Sequence, residues 1–490
     1  MDINRKSIQL LFYILLFFSF AIAVGWSVSN GAYSVLILIS LIFLILVLLS
    51  LDSKLAGKPK HTPIMLIVWI LIQPLLRIFE IHYAIQLGVQ FGSIFLFLYY
   101  FLLKDSEKRW AIWNMCKPLL VLGLIFWGVL GISFLSQPFT RTDFVFLGEI
   151  MASFLFAFLP CVVCENMDDV VRLMKTLVFV GLIQFPIVLA QGIGFADKLP
   201  PVFSQLYTLN WGGSITSTTQ LVRYPGSFGD VELLAEFAGL VFIISIGLAL
   251  IKPRERLFWV IVTTILFVIG WLTGTRAFLV VVSGGLIVLL ISLLYNSQIK
   301  INQILRYLIG SIPIFFIAFY FIPNNIINGL LGRFKGLQFN GVDAFNRAYL
   351  YNSAFSLLPK MPFFGYGGLM WSVFRQAANY YYADPHSFYI WMLLYAGYPG
   401  LLTSVLLMLV LIIWTFWLSR QVSYKLIGQL GSVLLAATAY LIVNETKIVF
   451  LRSYFYADLI FFFFGLVAVT YGLGRRIKIQ QVTTKNKAFK

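Results

Sequence analysis

Fourteen long apolar stretches, joined by short polar connections, limit this 490-residue chain to very few folds. A helix of about 20 apolar residues crosses a bilayer, and an apolar run of that length has no other economical burial in a chain this size. The stretches lie at about 10–29, 31–51, 63–80, 84–103, 118–136, 144–164, 176–196, 231–251, 257–274, 277–295, 307–322, 399–418, 426–443 and 454–473. The expected architecture is an all-α polytopic membrane protein of about 14 transmembrane helices, a single membrane domain over 1–490. With 60% hydrophobic and 11% charged residues, the composition agrees, since soluble globular chains carry roughly 25% charge.

The net charge of +17 does not make a nucleic-acid face, because the basic residues punctuate the ends of apolar runs instead of clustering on one surface. Alternating the spans from a cytoplasmic N-terminus places 24 of the 36 Lys and Arg inside, as the positive-inside bias requires. The first apolar run follows Arg5 and Lys6 and has no small-residue cleavage site, so it reads as a span and not a removable leader. Three cysteines make no disulfide framework: Cys116 is expected in a cytoplasmic loop, and Cys161 with Cys164 ends a span.

Two segments are expected outside the membrane on the side away from the basic loops, an external loop at 197–230 and a large external helical segment at 323–398. The large segment reads as a helix from Asn346 to Leu358 stopped by Pro359 and Pro362, a glycine turn at Gly365, Gly367 and Gly368, a second helix from Leu369 to Tyr382, and an interfacial helix from Ser387 to Tyr395. Arg223, Arg276 and Arg347 stand outward, against the orientation bias. Taken singly, each is accounted for by snorkelling to lipid phosphates; together they offer planar donor forks suited to a pyrophosphate. His386 is the one histidine in this arginine-rich region and is the candidate base. Glu149, Glu236 and Asp458 fall within spans, and Asp230, Glu232 and Glu236 are expected to partner Arg223 or Arg276. Asp168 and Asp169 read as a solvated loop. Metal-binding, Walker A and dinucleotide motifs are missing, so neither a metal nor a cofactor is expected.

Four stretches carry a likeness to a known group. They are Arg223-Tyr-Pro-Gly-Ser-Phe-Gly with Leu234-Ala-Glu-Phe; Leu272-Thr-Gly-Thr-Arg-Ala; Arg347 with the helix ending in Pro362-Phe-Phe-Gly-Tyr-Gly-Gly; and His386-Ser-Phe-Tyr with Tyr395-Ala-Gly-Tyr-Pro-Gly-Leu. In order and topology, over roughly residues 200–415, the chain resembles the O-antigen ligase and polymerase superfamily of bacterial envelope polysaccharide synthesis. It departs from that pattern at Ser387, where the superfamily usually has Asn, and at Asp230-Val-Glu232, where it has an Asn-rich turn.

The resemblance implies a GT-C-like fold and a metal-independent inverting glycosyltransferase, most naturally a polysaccharide polymerase, with an O-antigen-type ligase as the alternative. Carried over, Arg276 and Arg347 would bind the pyrophosphate of an undecaprenyl-pyrophosphate-linked glycan donor, Arg223 would support them, and His386 would deprotonate the hydroxyl of a glycan or lipid-linked acceptor. The implied location is the bacterial cytoplasmic membrane, with both termini cytoplasmic and the site outward among membrane lipids. A flippase and a chain-length regulator are the further partners it implies. A reading of another class, a lipid-linked oligosaccharide flippase, shares the span number but expects its charges along a central cavity, and the chain has no internal repeat of the kind transporters use.

Overall fold

A computed structural model describes residues 63–75, 83–137, 141–193, 195–199, 203–204, 206–210, 220–296, 342–379 and 385–488. Contacts divide the chain into Met1–Trp69 and Ile70–Lys490. Of the first unit the described part is residues 63–69, within helix α1 (Ile64–Ile72) and its approach; the architecture below is that of the second. The expected spans at 10–29, 31–51 and 307–322 lie outside the described residues.

The remaining helices are α2 (Tyr83–Leu102), α3 (Ser106–Leu135), α4 (Arg141–Phe156), α5 (Leu159–Val163), α6 (Met167–Gly192), α7 (Val231–Ile251), α8 (Arg256–Leu272), α9 (Arg276–Tyr295), α10 (Val342–Ser356), α11 (Met370–Ala377), α12 (Phe388–Ser419), α13 (Lys425–Asn444) and α14 (Tyr454–Ala488). Among the described residues nine helical segments are long and apolar enough to cross a membrane, which makes this a multi-pass membrane protein.

Several boundaries differ from expectation. α3 starts at Ser106, not 118, because a helix continues beyond the apolar stretch that crosses lipid, and Pro118 sits within it. Cys116 is therefore inside α3 and buried, and not in a loop. Asp169 is likewise buried instead of solvated: it closes a capping box with Asn166 at the start of α6. The all-α expectation needs one amendment, since the 197–230 loop holds an antiparallel ribbon of β1 (Tyr207–Asn210) and β2 (Gln220–Arg223), with Tyr207 opposite Arg223. The expected helix at Leu369 to Tyr382 is observed as α11, and the interfacial helix and the span at 399–418 form one run, α12, bent where Gly397 takes φ 68°.

The core is built around α7 and α14. Beyond Glu232 and Glu236 in its first turns, α7 is apolar on every face but for Ser245, which suits a helix enclosed by protein, and it packs against α6, α8, α9 and α13. A Cβ on Gly239 would lie 2.1 Å from the Tyr440 hydroxyl, and one on Gly247 would lie 2.3 Å from Val433, so two glycines let α7 and α13 approach closely. α14 contributes Phe461, Phe462, Phe463 and Phe464, all fully buried, against α4, α5, α6 and α12. Ser-to-Ser and Ser-to-Thr hydrogen bonds, Ser292 to Ser432 at 2.9 Å and Ser245 with Thr263 at 2.7 Å, satisfy polar groups that would otherwise be stranded there.

The two ends of the bundle differ. At one, Lys104 and Lys108 meet Glu165 at 2.8 and 3.2 Å, Lys175 meets Glu255 at 2.5 Å, and Lys252 meets Asp168 at 3.4 Å. These loops were assigned to one side by span alternation, and they touch. At the other end the connections 223–230, 273–276 and 445–453 converge with the start of α12.

Candidate functional site

Asp230 organises this second end. It precedes α7 in extended conformation, and its Oδ1 accepts from the backbone N–H of Glu232 at 2.7 Å and of Leu233 at 3.3 Å, so the helix start is closed by its own sequence. The other oxygen, Oδ2, lies 3.6 Å from Nη1 of Arg452. Glu232 in the first turn puts Oε2 at 3.6 Å from the same Nη1 and 3.8 Å from Nδ1 of His386. Arg452 also donates from Nη2 to His386 Nδ1. With 13% of its side chain exposed, against 27% for Glu232, 31% for Asp230 and 29% for His386, Arg452 forms the floor on which the other three rest.

Local sequence explains how His386 reaches this place. It follows Pro385 and adopts φ 48°, a left-handed backbone that costs a non-glycine residue of order 1 kcal/mol. Such an outlier persists only where its surroundings hold it. Here Phe388 N–H donates to Glu445 O at 2.9 Å and Ile448 O at 3.0 Å, pinning the start of α12 to the 445–453 connection that carries Arg452.

Arg223 sits at the end of β2 and donates through Nε to Thr273 O and through Nη2 to Thr275 Oγ1, each at 2.8 Å. It thereby fastens the ribbon to the joint between α8 and α9. Arg276 is the first residue of α9, between Thr275 and Ala277, and both of those neighbours line a cleft whose other walls include Glu232, Glu236, Tyr440, Asn444 and Lys447. Arg347 lies in α10 one turn before Tyr351, whose hydroxyl donates to Thr446 O at 2.8 Å, between Glu445 and Lys447. The glycine turn is tied in as well. Tyr366 N–H donates to Leu394 O at 2.8 Å, and Gly365 lies against the Gly397 bend, where a Cβ on Gly365 would be 2.5 Å from Gly397 N.

At the wall of the cleft Glu236 is paired with Glu445, both carboxyls buried, beside Asn444 and Tyr456. Burial first, and then the neighbouring Glu236, push the Glu445 carboxyl well above the ordinary glutamate range. Arg452 pulls in the opposite direction and does not prevail. Elsewhere, Asp458 is buried in α14, and burial pushes the Cys164 thiol up, the behaviour of an inert packing residue. Among the described residues no three His, Cys, Asp or Glu groups converge as metal ligands, and in the cluster at this end a guanidinium occupies the centre.

Sequence reasoning brought out Arg223, Arg276, Arg347 and His386, but not Arg452, Lys447 or Glu445. The signal for Arg452 was the one used for the other arginines, a basic residue in a short connection on the side where basic residues are scarce. Arg452 contacts both Asp230 and Glu232, which adds a partner that the sequence did not bring out for the acids beside α7.

Comparison with known proteins leaves the chain on its own residues: no family model matches it, and no curated protein matches it.

Proposed function

We propose that this chain is a membrane glycosyltransferase, taking a glycan from undecaprenyl pyrophosphate at the outer face of the bacterial cytoplasmic membrane and joining it to an acceptor sugar hydroxyl. The observation that carries this reading is the meeting of all four resembling stretches at one end of the bundle. Arg223 is bonded to the Thr273–Thr275 joint, Glu232 reaches His386, and Tyr366 and Gly365 are seated on the bend that follows His386. Segments tens to hundreds of residues apart in the chain are thereby brought to one end of the bundle.

The chemistry suits such a place. Departure of a pyrophosphate from an anomeric carbon leaves charge on its oxygens, and arginine forks fixed in advance stabilise that charge without reorganising at the moment of reaction. The distribution of Lys and Arg supports an outward orientation for this end, with both termini cytoplasmic. A polymerase, transferring the growing chain to a further lipid-linked unit, is preferred over a ligase on the breadth of the resembling group.

The test is transfer from a synthetic undecaprenyl-pyrophosphate glycan by the purified protein in detergent with EDTA. The wild type should form the glycosidic product, and Arg276→Ala and Arg347→Ala should each lose about 100- to 1000-fold in rate. Movement of the lipid headgroup across proteoliposomes without any new bond would replace this reading with the flippase one.

A further inference from the structure

We infer that the end of α12 remote from His386 binds an anionic phospholipid, its headgroup phosphate held by Arg420, Arg475 and Lys478. The site lies away from the cleft and does not depend on the glycosyl-transfer reading.

The run of the helices fixes the place. α12 leads from Phe388, beside the His386 cluster, to Ser419, and α13 returns from Lys425 to Asn444 before α14 starts at Tyr454. Residues 419–425 and the later part of α14 therefore share the far end of the bundle. About 20 helical residues cross the hydrocarbon, which brings α14 to headgroup depth by about residue 474. Arg475, Arg476 and Lys478 follow directly, on a helix that continues to Ala488. Gly474 lets α12 come close here, since a Cβ on it would lie 3.0 Å from Leu418 Cδ2 and 3.5 Å from Trp417.

The cations at this end are of two kinds. Lys104, Lys108, Lys175 and Lys252 are paired with carboxylates. Arg420, Arg475 and Lys478 are exposed and lie over aromatic rings instead. The Arg420 guanidinium is 4.6 Å from the Tyr295 ring of α9 and 5.9 Å from Phe416. Arg475 is 5.8 Å from the Tyr471 ring, and Lys478 Nζ is 5.5 Å from that of Trp417. Tyr471 in turn packs edge to face on Trp417 at 5.1 Å, which joins α14 to α12. Among the described residues none of these three cations has a carboxylate within ion-pair distance. A ring face attracts a cation but supplies neither a countercharge nor an acceptor for its N–H groups, so both are left for a phosphate.

The apolar surface leading to these charges decides for a lipid over a soluble anion. Leu409, Ile413 and Phe416 form an exposed line along α12 that ends at Arg420. Ile287, Ile291 and Tyr295 form another along α9, ending on the ring beneath the same guanidinium. Acyl chains suit these two lines, Tyr and Trp rings suit the interface above them, and the guanidinium fork matches phosphate oxygens. A zwitterionic headgroup brings its own cation to the phosphate. An anionic one leaves that charge to the protein.

The experiment follows thermal unfolding of the purified full-length protein in neutral detergent as phosphatidylglycerol, phosphatidylcholine or glycerol 3-phosphate is titrated in. The variants are Arg420→Gln, the double Arg475→Gln/Lys478→Gln, and Arg254→Gln, which removes an exposed charge at the same end outside the site. Each is referred to its own lipid-free melting temperature. The expected result is saturable stabilisation by phosphatidylglycerol alone, with the midpoint moved about fivefold to higher lipid in Arg420→Gln and about 25-fold in the double variant. Arg254→Gln should stay within about twofold of wild type. An equal response to phosphatidylcholine, a wild-type midpoint in Arg420→Gln or the double variant, or an equal shift in Arg254→Gln overturns the site. Stabilisation by glycerol 3-phosphate to the same extent as by phosphatidylglycerol overturns the lipid as its ligand.

Discussion

At the scale of single residues, His386 stands out in the sequence because imidazole titrates near neutrality, whereas its contact with Arg452, 66 positions away, is invisible until the fold is known. The same holds for Glu445, an ordinary glutamate after an apolar stretch whose surroundings become decisive only when Glu236 is brought beside it. Because its folded value is raised, the stability it lends is full below the titration range of an unfolded glutamate and is lost as pH rises through the raised folded value. Glutamine mimics the protonated acid. Glu445→Gln should therefore keep the acid-side melting temperature and flatten the decline on the alkaline side, as read by thermal unfolding against pH in detergent. A uniform drop at every pH would mean instead that its charge, attracted by Arg452, sustains the fold.

At the scale of elements, apolar length identified membrane crossings but not helix ends. α3 extends well before its apolar stretch, and α12 continues through a position where separate helices were expected. The bend in α12 has a steric reason: Gly397 has φ 68°, and a Cβ there would lie 1.9 Å from Phe363 O, so the bend is shaped to receive the Phe363–Gly365 turn. Gly397→Ala should cost about 2–4 kcal/mol and shift unfolding accordingly. Gly128→Ala in α3, where a Cβ meets nothing within 4 Å, should be neutral or stabilise by up to about 1 kcal/mol. Equal melting temperatures for the two variants would show that the turn does not depend on this contact. Gly365, Gly367 and Gly368 announce a turn in the sequence; what that turn packs against did not follow, because its partner lies elsewhere in the chain.

At the scale of the whole molecule, the loops grouped by span alternation do meet, Lys104 and Lys108 with Glu165, and Lys252 with Asp168. The three cysteines are buried, which leaves the native protein a quiet background for thiol labelling. Arg254→Cys and Arg375→Cys, both at exposed positions, should report opposite sides: a membrane-impermeant maleimide added to intact cells should label position 375, and position 254 only after permeabilisation. Labelling of both from outside would dismantle the assigned topology. Hydropathy and basic-residue placement sufficed for the multi-pass architecture because the bilayer imposes a length and an orientation bias on each span separately, both of which are local properties of the chain. Which helices adjoin, and that Arg452 lies under Asp230, Glu232 and His386, were decided by tertiary packing alone. Those relations depend on side-chain distances of a few ångströms between segments far apart in sequence, and no local pattern encodes them.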